Sequence, residues 1–417
     1  MNTEIISVGT ELVTGQVLET NAAWFAGQPA TFGIHVDAHI TVGDDPFFLE
    51  ATIRTALDRS PLVLITGGIG PTPDDITRQA VASALNLPLV EDAEALAAVE
   101  SFFQRWQRPM NVANKVQAML PQGSVMIPNQ RGTAPGIHHH HAGHHLFVLP
   151  GVPLEMESMF LDSVAPLIKT LGTGGAIVSG RLNCFGMNEA RVGELLIDLK
   201  DRHRNPHVGT TASDAVITVR VTAQADRRDI ALAQLEADLL EVRRRLGTVV
   251  FGRDDETLED SVARLLTDAG ASVCTAESCT GGLLTTRLTD VAGATVFFQR
   301  GFVVYANQAK IDLLGVSPET LEQNGAVSEA VARELAVGAR TCGQADFGLS
   351  ITGVAGPGGG TPDKPVGLVF VSLADHAGVE VVRRTWGDHL SRQEIRDRSV
   401  KTALNMLRLR LLDDSKI

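Results

Sequence analysis

Short apolar runs alternate with amphipathic segments through the first 170 residues of the chain. Strands are predicted by the runs 4–8 and 35–42, and the continuous apolar run 62–66 predicts a fully buried parallel strand. Residues 46–58 carry apolar side chains at helical spacing, and Asn21 begins an earlier helix. This order predicts a doubly wound α/β fold, whose ligands bind beyond the carboxyl ends of the strands.

The pattern changes after Gly172-Thr173-Gly174-Gly175, a glycine-rich run that predicts a linker. From Ile177 to Val250 the order strand, helix, strand, helix, strand predicts a small α/β module. Its helices are expected over 188–199 and 227–246, and its clearest strand over 215–223. We find no residue pattern in this module that indicates catalysis.

A helix capped by Thr257 leads, in the last third of the chain, into a short buried strand at 271–274. Behind Ser278, the residues Leu283, Leu284 and Leu288 repeat at helical spacing. We therefore expect Ser278 where a strand ends and a helix begins. The free N–H groups of a first helical turn can hold an oxyanion or a phosphate at such a junction.

Ser278 needs a base to become a nucleophile, and the next polar cluster offers Lys310 and Tyr305, the only tyrosine in the chain. Lys310 serves if desolvation lowers its pKa toward neutrality, because a neutral amine can accept the seryl proton and later pass it to a leaving amine. The alternative is that Ser278 caps a helix, Lys310 is a surface charge and Tyr305 is a packing residue.

Two glycine-rich loops are candidate phosphate sites. The first, 66–75, follows a buried strand, and its Asp74 and Asp75 fall at a helix start, either as caps or as ligands of a magnesium ion that bridges to phosphate. The second, 353–360, can cradle a single phosphate with its N–H groups. Arg392 and Arg396, one helical turn apart, can clamp that phosphate or be surface charges.

Composition excludes several classes of protein. No apolar run approaches the ~20 residues that span a bilayer, and the N-terminus lacks the basic region of a signal peptide, so we expect a cytoplasmic protein. The four scattered cysteines predict neither disulfides nor a zinc site. Cys279 is a rival nucleophile to Ser278, because a thiol at a helix N-terminus has a lowered pKa. The net charge of -13 argues against broad nucleic-acid binding.

The six histidines within 138–145 lie between two strand-like runs and predict a hairpin with Gly143 in its turn. We expect an exposed, mobile tip with adventitious affinity for nickel or zinc and no role in either candidate activity.

Five ordered motifs in the last third of the chain resemble the C-terminal domain of the CinA (competence/damage-inducible) family, which is similar to nicotinamide mononucleotide amidohydrolases. They lie at 276–282, 298–310, 325–328, 352–357 and 364–367. The resemblance implies metal-free hydrolysis of nicotinamide mononucleotide to nicotinate mononucleotide and ammonia. It implies Ser278 as nucleophile, Lys310 as general base and Tyr305 as a proton relay or orienting neighbour. Its further substrate contacts are Thr280, Gly281, Gly282, Thr352, Gly353, Ala355, Gly356, Arg392 and Arg396.

The front of the chain resembles the molybdopterin-binding (MoCF) domain of CinA proteins, a three-layer α/β sandwich, in its motifs at 9–16, 66–75 and 149–153. The resemblance implies metal-dependent cleavage of ADP-ribose to AMP and ribose 5-phosphate, with Mg²⁺ or Co²⁺. The residues implied near the metal and pyrophosphate are Glu11, Asn21, Asp44, Asp74 and Asp75. Further phosphate-contact candidates are Gly67, Gly68, Gly70, Gly151 and Lys115.

We therefore expect an α/β protein of three parts: a MoCF-like pyrophosphatase domain at 1–171, a small α/β module at 176–251 and a deamidase domain at 254–414. The small module matches the spacer of CinA proteins and is assigned to docking or assembly. Two other interpretations stay open, namely an N-terminal domain that only binds a pterin or nucleotide, and an interaction factor in DNA uptake or repair. The family suggests a homodimer with small nucleotides as ligands, and neither a membrane nor a nucleic acid as partner.

Overall fold

The computed structural model describes residues 2–30, 34–171 and 175–414. Of the predicted linker run, Gly172, Thr173 and Gly174 lie outside these described residues. The chain separates into two units, Met1–Val178 with Thr222–Leu235, and Ser179–Val221 with Glu236–Ile417. None of the described helices is both long and apolar enough to cross a membrane. The division into three domains stays a prediction.

Through residue 171 strands and helices alternate, as the hydrophobic pattern predicted. The elements are β1 (Asn2–Val8), α1 (Thr10–Val13), α2 (Asn21–Ala30), β2 (His35–Val42), α3 (Pro46–Arg59), β3 (Leu62–Thr66), α4 (Thr77–Leu85), β4 (Leu89–Glu91), α5 (Ala93–Arg105), a 3₁₀ helix (Val112–Ala118), β5 (Met119–Pro121), β6 (Val125–Ile127), β7 (Gly136–His141), β8 (His144–Leu149), α6 (Pro153–Met159), a π-helical turn (Phe160–Val164) and α7 (Ala165–Leu171).

Six of these strands form one sheet in the order β2-β1-β3-β8-β7-β6. The first four are parallel to one another, and β7 runs antiparallel to both of its neighbours, β8 and β6. Successive residues of β1 enter opposite cores, because strand side chains alternate between the two faces of a sheet. Ile6 joins the cluster that contains α3 and α4, and Ile5 joins the cluster that contains α2 and α6. Helices cover both faces, which confirms the predicted three-layer α/β sandwich.

The next region contains β9 (Ala176–Cys184), α8 (Glu189–Leu195), a 3₁₀ helix (Ile197–Lys200), β10 (His207–Ser213), β11 (Val216–Ala225), α9 (Arg228–Leu246), a 3₁₀ turn (Gly247–Val249) and β12 (Val250–Arg253). These strands form a sheet in the order β10-β11-β9-β12. The sequence did not predict β10, because this edge strand buries only Val208 and therefore lacks an apolar alternation. The helix predicted over 188–199 ends at Leu195, and its last residues form the 3₁₀ helix.

The last region contains α10 (Leu258–Ala269), β13 (Val273–Glu277), α11 (Leu283–Asp290), a 3₁₀ turn (Ala294–Val296), β14 (Phe298–Val303), α12 (Asn307–Leu314), α13 (Pro318–Asn324), α14 (Glu329–Gly343), β15 (Phe347–Gly353), β16 (Leu368–Ala374), β17 (Val379–Thr385) and α15 (Arg392–Asp414). Thr257 caps α10 in a reciprocal capping box with Asp260, as its sequence pattern indicated.

These strands form a five-stranded sheet in the order β14-β13-β15-β16-β17. The first three are parallel, and β16 and β17 are antiparallel additions. On one face Leu266, Leu284 and Leu404 bring α10, α11 and α15 against the sheet. On the other face Leu314 and Leu335 bring α12 and α14 against it. The α/β class predicted for this region is therefore confirmed.

Candidate functional site

The carboxyl ends of β14, β13 and β15 meet at one edge of the five-stranded sheet. Glu277, the last residue of β13, pairs with Val303 on one side and Ile351 on the other. The N–H of Ser278 donates to the Ile351 carbonyl at 3.0 Å. The loops that carry the C-terminal candidate residues therefore begin side by side, as expected for parallel strands.

Lys310 lies one turn into α12, and only 1% of its surface is exposed. Its Nζ donates hydrogen bonds to the carbonyls of Val304 at 2.8 Å and Tyr305 at 3.0 Å. Burial lowers the pKa of this amine, and the nearby Cys279 thiol acts weakly in the opposite direction. A neutral amine has two hydrogens and one lone pair. When the two carbonyls accept both hydrogens, the lone pair remains free to take a proton.

Ser278 does not stand at the start of a helix, which corrects the sequence prediction. A turn over 278–282 separates β13 from α11. The completely buried carboxylate of Glu277 accepts hydrogen bonds from the N–H groups of Gly282 at 3.1 Å, Leu284 at 3.0 Å and Thr285 at 2.7 Å. The helix donors expected to hold an oxyanion or phosphate are thus already occupied by an anion of the protein itself.

Sequence reasoning missed Glu277 as a functional candidate. The available signal is a single acidic residue at the end of the otherwise small and uncharged strand Val273–Glu277, whose every residue is buried. A charged group is rarely buried completely unless several donors satisfy it.

The rival hypothesis of a reactive Cys279 is wrong. Only 6% of Cys279 is exposed, and α11 does not begin until Leu283. Burial raises the pKa of its thiol to about 12, although Arg392 and Arg396 lower it in part. The thiol therefore stays protonated near neutral pH and is a poor nucleophile.

Arg392 and Arg396 reach the same edge of the sheet from the first turns of α15. Nη1 of Arg392 donates to the carbonyl of Gly356 at 2.8 Å, and its Nη2 lies 3.5 Å from the hydroxyl of Tyr305. Nη2 of Arg396 donates to the carbonyl of Thr280 at 2.6 Å. Both arginines line a cavity of about 630 Å³, together with Leu283. Arg396 thus contacts the serine turn and Arg392 the neighbouring loop, while the cavity that both line also contains the carboxylates of Asp214, Glu394 and Asp397.

Tyr305 contacts Lys310 through its backbone and not through its ring. The ring is 63% exposed, and its hydroxyl faces Arg392. The carbonyl of Tyr305 holds the Lys310 amine. Its backbone carbonyl thus contacts the lysine amine, no described contact links its hydroxyl to Lys310, and its role as relay or orienting neighbour stays a prediction.

The remaining C-terminal candidates divide into two groups. Gly281 and Gly282 adopt left-handed φ angles of 58° and 95°, which glycine tolerates best, and the turn depends on them. Thr280 is completely buried, and its Oγ1 and the Nε of Arg396 are buried without a partner in the described part of the chain. These three residues and Arg396 form one cluster around Ser278.

Thr352, Gly353, Ala355 and Gly356 support the neighbouring loop. The hydroxyl of Thr352 donates to the Ala326 carbonyl at 2.8 Å inside the protein, so its side chain is not free for a ligand. Any Cβ at Gly353 would lie 2.7 Å from the Leu368 carbonyl oxygen. The following glycines, 358–360, line a separate cavity of about 570 Å³ that contains neither Arg392 nor Arg396. The predicted phosphate nest and the predicted arginine clamp therefore lie at two separate places, which the contact between Arg392 and Gly356 connects.

In the N-terminal unit the glycine-rich turn after β3 leaves no room for side chains. Gly67 and Gly68 have φ angles of 101° and 66°. An added Cβ would lie 2.3 Å from the Val8 carbonyl oxygen at the first position and 2.2 Å from Thr77 Oγ1 at the second. At Gly70 it would lie 2.5 Å from the Asp75 carboxylate. The turn has the bare backbone that a close approach to phosphate needs.

Asp74 and Asp75 do not cap a helix, contrary to one sequence interpretation. α4 begins at Thr77, and Ile76 precedes it without a side-chain cap. Asp74 is exposed in the turn. The Asp75 carboxylate accepts hydrogen bonds from the N–H of Thr72 at 2.9 Å and from its hydroxyl at 2.6 Å. Asp75 therefore folds the glycine-rich turn upon itself.

Arg78 is a second residue that sequence reasoning missed. Its side chain is buried, and its guanidinium donates to the carbonyls of Ile69, Gly70 and Val116. Burial lowers its pKa to about 10, and the Asp75 carboxylate acts in the opposite direction. The cation remains charged near neutral pH and lies directly beneath the glycine-rich turn. The signal in the sequence is a basic residue in the first turn of the helix that follows the glycines.

Other N-terminal candidates gather at the same sheet edge, after β1 and β2. Nδ2 of Asn21 donates to Thr66 Oγ1 and to the Gly151 carbonyl, both at 2.9 Å, while its Oδ1 is buried with no partner among the described residues. The Asp44 carboxylate accepts the N–H of Thr10 at 2.9 Å, beside Glu11. Lys115 instead lines a groove of about 270 Å³ that includes none of the other candidates.

Within the described residues, no three His, Cys, Asp or Glu side chains gather closely enough to hold a metal ion by themselves. Magnesium commonly takes one or two protein carboxylates and completes its shell with water and substrate phosphate. Glu11, Asp44 and Asp75 follow three neighbouring parallel strands and provide hard oxygen donors, and the unpartnered Asn21 Oδ1 adds another. These residues fit an ion shared with a substrate, and they do not form a complete cage.

The histidine-rich hairpin forms with Ala142 and Gly143 in its turn, and residues 140–143 are exposed as predicted, whereas the histidines nearer the sheet are covered. All six histidines lie in β7 and β8, and His139 and His145 are buried. His138 stacks on Phe147 with ring centroids 4.4 Å apart, and His140 stacks on His145 at 4.1 Å. Burial lowers the pKa of His138 to about 4, with neighbouring histidines acting in the same direction. The exposed tip therefore agrees with the prediction, while His138, His139 and His145 behave as packing groups, which the sequence pattern did not indicate.

Three protein-family models match successive segments of the chain. Residues 4–170 match the family model described as a probable molybdopterin binding domain, residues 179–252 match the damage-inducible protein CinA KH domain, and residues 255–411 match the CinA C-terminal domain.

Full-length relatives are similar over nearly the whole chain. A putative competence-damage inducible protein of Acetivibrio thermocellus is 42% identical over 408 residues, which cover 98% of each chain. A CinA-like protein of Geobacter sulfurreducens is 41% identical over 413 residues, 99% of this chain and 100% of that one. Among solved structures, the competence/damage inducible protein CihA from Agrobacterium tumefaciens is 44% identical, covers 38% of this chain and 97% of its own, and has a TM-score of 0.36.

Proposed function

The chain belongs to the CinA family of competence-damage inducible proteins, and from this premise we propose that its C-terminal region hydrolyses the carboxamide of nicotinamide mononucleotide. Ser278 Oγ attacks the carboxamide carbon while the Lys310 amine takes the seryl proton. The resulting ammonium passes that proton to the departing nitrogen, which leaves as ammonia. A water molecule, deprotonated by the same amine, then cleaves the acyl ester, releasing nicotinate mononucleotide and restoring Ser278.

The observation that carries this proposal is the buried Lys310 amine. Its pKa is lowered by burial, and its two hydrogen bonds to carbonyls leave one lone pair in the neutral form. Val304, whose carbonyl accepts from this amine, donates its N–H to the carbonyl of Glu277 at 2.8 Å, which connects Lys310 to the residue before Ser278. A general base of this kind has to be neutral, oriented and next to the nucleophile.

The oxyanion donors in this proposal come from the serine turn and not from α11. Glu277 occupies the N–H groups of Gly282, Leu284 and Thr285. No described residue accepts a hydrogen bond from the N–H groups of Cys279 or Thr280. Those two adjacent donors are therefore available to the developing oxyanion, where each donor contributes strongly to the rate.

Ammonia release from nicotinamide mononucleotide, with mass spectrometry of the product, tests the proposal. The wild-type protein should form nicotinate mononucleotide with or without chelator, and Ser278→Ala should reduce the rate by at least ~10³-fold. Full activity in Ser278→Ala would exclude the proposed nucleophile. Loss of deamidation with chelator would exclude a metal-free site.

We also propose that the N-terminal region cleaves ADP-ribose to AMP and ribose 5-phosphate with a divalent cation. The bare glycine-rich turn, the buried Arg78 cation beneath it and the carboxylates of Glu11, Asp44 and Asp75 support this proposal. A bound Mg²⁺ or Co²⁺ would neutralise charge on the pyrophosphate. The turn binds phosphate through its N–H groups, and Asn21 offers its free Oδ1 to the ion or to a ribose hydroxyl.

The second candidate for this region is a binding module without catalysis, favoured by the absence of a complete metal cage among the described residues. Incubation with ADP-ribose and Mg²⁺ or Co²⁺ separates the two. AMP formation that is lost in Asp75→Ala supports the hydrolase. Saturable binding by calorimetry, with intact ADP-ribose recovered, supports the binding module.

A third candidate, an interaction factor in DNA uptake or repair, has less support. The segment 179–252 that matches a KH domain contains no G-x-x-G motif, which KH domains use to clamp the nucleic-acid backbone. The net charge of -13 also opposes a phosphate backbone. Fluorescence anisotropy with labelled single-stranded oligonucleotides should show no binding at 150 mM salt, and salt-dependent binding would favour this third candidate.

A further inference from the structure

We infer that Glu277 is a positioning residue for Ser278, and that its carboxylate sets the conformation of the turn over 278–282 in which the serine attacks. The inference rests on the proposed amidohydrolase function. Glu277 touches no substrate in this account, so it acts on the reaction only through the turn that it holds.

The geometry fixes the turn at both of its ends. At the beginning, the Ser278 N–H donates to the Ile351 carbonyl at 3.0 Å, and the Val304 N–H donates to the Glu277 carbonyl at 2.8 Å. At the end, one carboxylate oxygen of Glu277 accepts the N–H groups of Gly282 and Leu284, and the other accepts that of Thr285. One completely buried side chain therefore connects the strand before Ser278 to the helix after it.

A carboxylate suits this position better than any neutral group. The three N–H donors are shared between both oxygens of the side chain, and only a carboxylate offers two acceptor oxygens in this position. Glutamine has only one acceptor oxygen, and its NH₂ group would face an N–H donor. Removing the charge should thus loosen the turn while leaving the shape of the side chain nearly unchanged.

The same contacts determine where substrate charge is excluded. Since Glu277 fills the anion site of α11, the phosphate of a mononucleotide has no donors there and is repelled by the carboxylate. Arg396 contacts the turn through the Thr280 carbonyl, and Arg392 and Arg396 line a cavity whose other charged residues are Arg287, Lys401, Asp214, Glu394 and Asp397. Glu277 therefore disfavours binding of the phosphate at the N-terminus of α11, so that the carboxamide can lie at the serine turn and the phosphate nearer to α15.

The experiment compares Glu277→Gln and Glu277→Asp with the matched control Asp346→Asn. Asp346 makes a similar contact at the opposite end of the same sheet, where its carboxylate accepts the N–H and the hydroxyl of Ser272 at 2.8 and 2.7 Å. Three quantities are measured: kcat and KM for nicotinamide mononucleotide, the rate of Ser278 labelling by a fluorophosphonate, and the thermal midpoint.

Glu277→Gln should lower kcat and the labelling rate by about 30- to 100-fold, with KM changed less than ~3-fold, because misplacement of a nucleophile affects the chemical step. Glu277→Asp, which keeps the charge, should recover about a tenth or more of the lost rate. Asp346→Asn should lower the thermal midpoint but keep kcat and labelling within ~2-fold.

Equal kcat and labelling in Glu277→Gln and the wild type would overturn the inference, as would equal losses in Glu277→Gln and Asp346→Asn. A wild-type protein that is labelled at Ser278 but releases no ammonia would refute the proposed substrate, while the labelling ratio still decides the role of Glu277. A wild-type protein that does neither would remove both proposals.

Discussion

The two candidate sites both lie at the carboxyl ends of parallel strands, but they differ in how far the protein itself satisfies their ionisable side chains. In the C-terminal site two ionisable side chains are buried and hydrogen-bonded within the protein: Lys310 donates to two carbonyls and Glu277 accepts three N–H groups. In the N-terminal site the carboxylates of Asp44 and Asp75 each bind a neighbouring threonine, and no three acidic residues gather among those the structure describes.

This difference indicates which part of each site the protein supplies. In the C-terminal site the main contribution of the protein is burial of the Lys310 amine. Removing water from an amine favours its neutral, basic form before any substrate binds. The N-terminal site has hard oxygen donors and bare N–H groups whose common partner is a phosphate with its cation. We therefore expect one site that is assembled in the free protein and one that is completed by its ligand.

The largest expected effect is on the assembled site. Lys310→Met removes the base while keeping a side chain of similar length, and should lower kcat for nicotinamide mononucleotide by about 10²- to 10⁴-fold. Lys310→Arg should be similarly inactive, since a guanidinium stays protonated. In the wild type, kcat/KM should rise with pH and level off once the lysine is neutral, at a pH below the ordinary lysine pKa because burial lowers that pKa.

A pH–rate profile together with both variants checks this prediction, and circular dichroism controls for folding. Substantial deamidation by Lys310→Met, or a profile that falls as pH rises through neutrality, would contradict a neutral lysine base.

A smaller loss is expected in the ligand-completed site. Asp75→Asn should reduce cleavage of ADP-ribose by about 10- to 100-fold and raise the Mg²⁺ concentration needed for half-maximal rate. Asp74→Asn, a neighbouring change at an exposed residue, is the comparison and should have the smaller effect if Asp75 is the ligand. Deamidation should be unchanged in both variants. Equal effects of the two substitutions on the rate and on the Mg²⁺ requirement would contradict a specific role of Asp75 as a metal ligand.

Acid should destabilise the N-terminal unit through its histidine stack. The pKa of His138 is about 4 in the folded protein and about 6.5 when unfolded, so the unfolded state binds more protons between these values. Its contribution to stability is complete above pH 6.5 and is lost as the pH falls toward 4. Because His138 is half-buried, we expect a loss of roughly 1–2 kcal/mol after solvent screening.

Urea unfolding at pH 7 and pH 5 tests this effect. His138→Phe, which keeps a ring against Phe147, should lose less stability on acidification than the wild type. His141→Phe, at the exposed end of β7, is the matched control and should retain the wild-type pH dependence. Replacement of all six histidines should leave both proposed activities intact, and loss of either would assign the hairpin a functional role.

The smallest effect on the deamidation rate is expected from the exposed side chain of Tyr305 in the C-terminal site. Tyr305→Phe removes the hydroxyl that faces Arg392 but keeps the carbonyl that holds Lys310. It should change kcat/KM for nicotinamide mononucleotide by about 3- to 10-fold, the usual worth of one exposed hydrogen bond. A loss as large as that of Lys310→Met would instead assign the phenol a direct part in proton transfer.

The sequence by itself determined the fold class and the order of nearly all elements, because each depends on local periodicity. The alternation in 35–42 and the continuous apolar run 62–66 both became the expected strands. It also determined the family, since the ordered motifs of the last third of the chain can be recognised in the sequence without a structure. An edge strand such as β10, with a single buried side chain, carries too little of that pattern to be predicted.

Only the tertiary structure decided the chemical state of individual groups. Whether a side chain is neutral, ionised or available depends on its hydrogen-bond partners and on the exclusion of water, and the burial that excludes water arises only when whole sheets and helices pack together. Cys279 is an inert buried thiol, Glu277 fills the helix end expected to bind an anion, and His138 packs as a ring against Phe147 for that reason. Lys310 is a candidate base because tertiary packing buries its amine against the carbonyls of Val304 and Tyr305, and its burial could not be read from the local pattern.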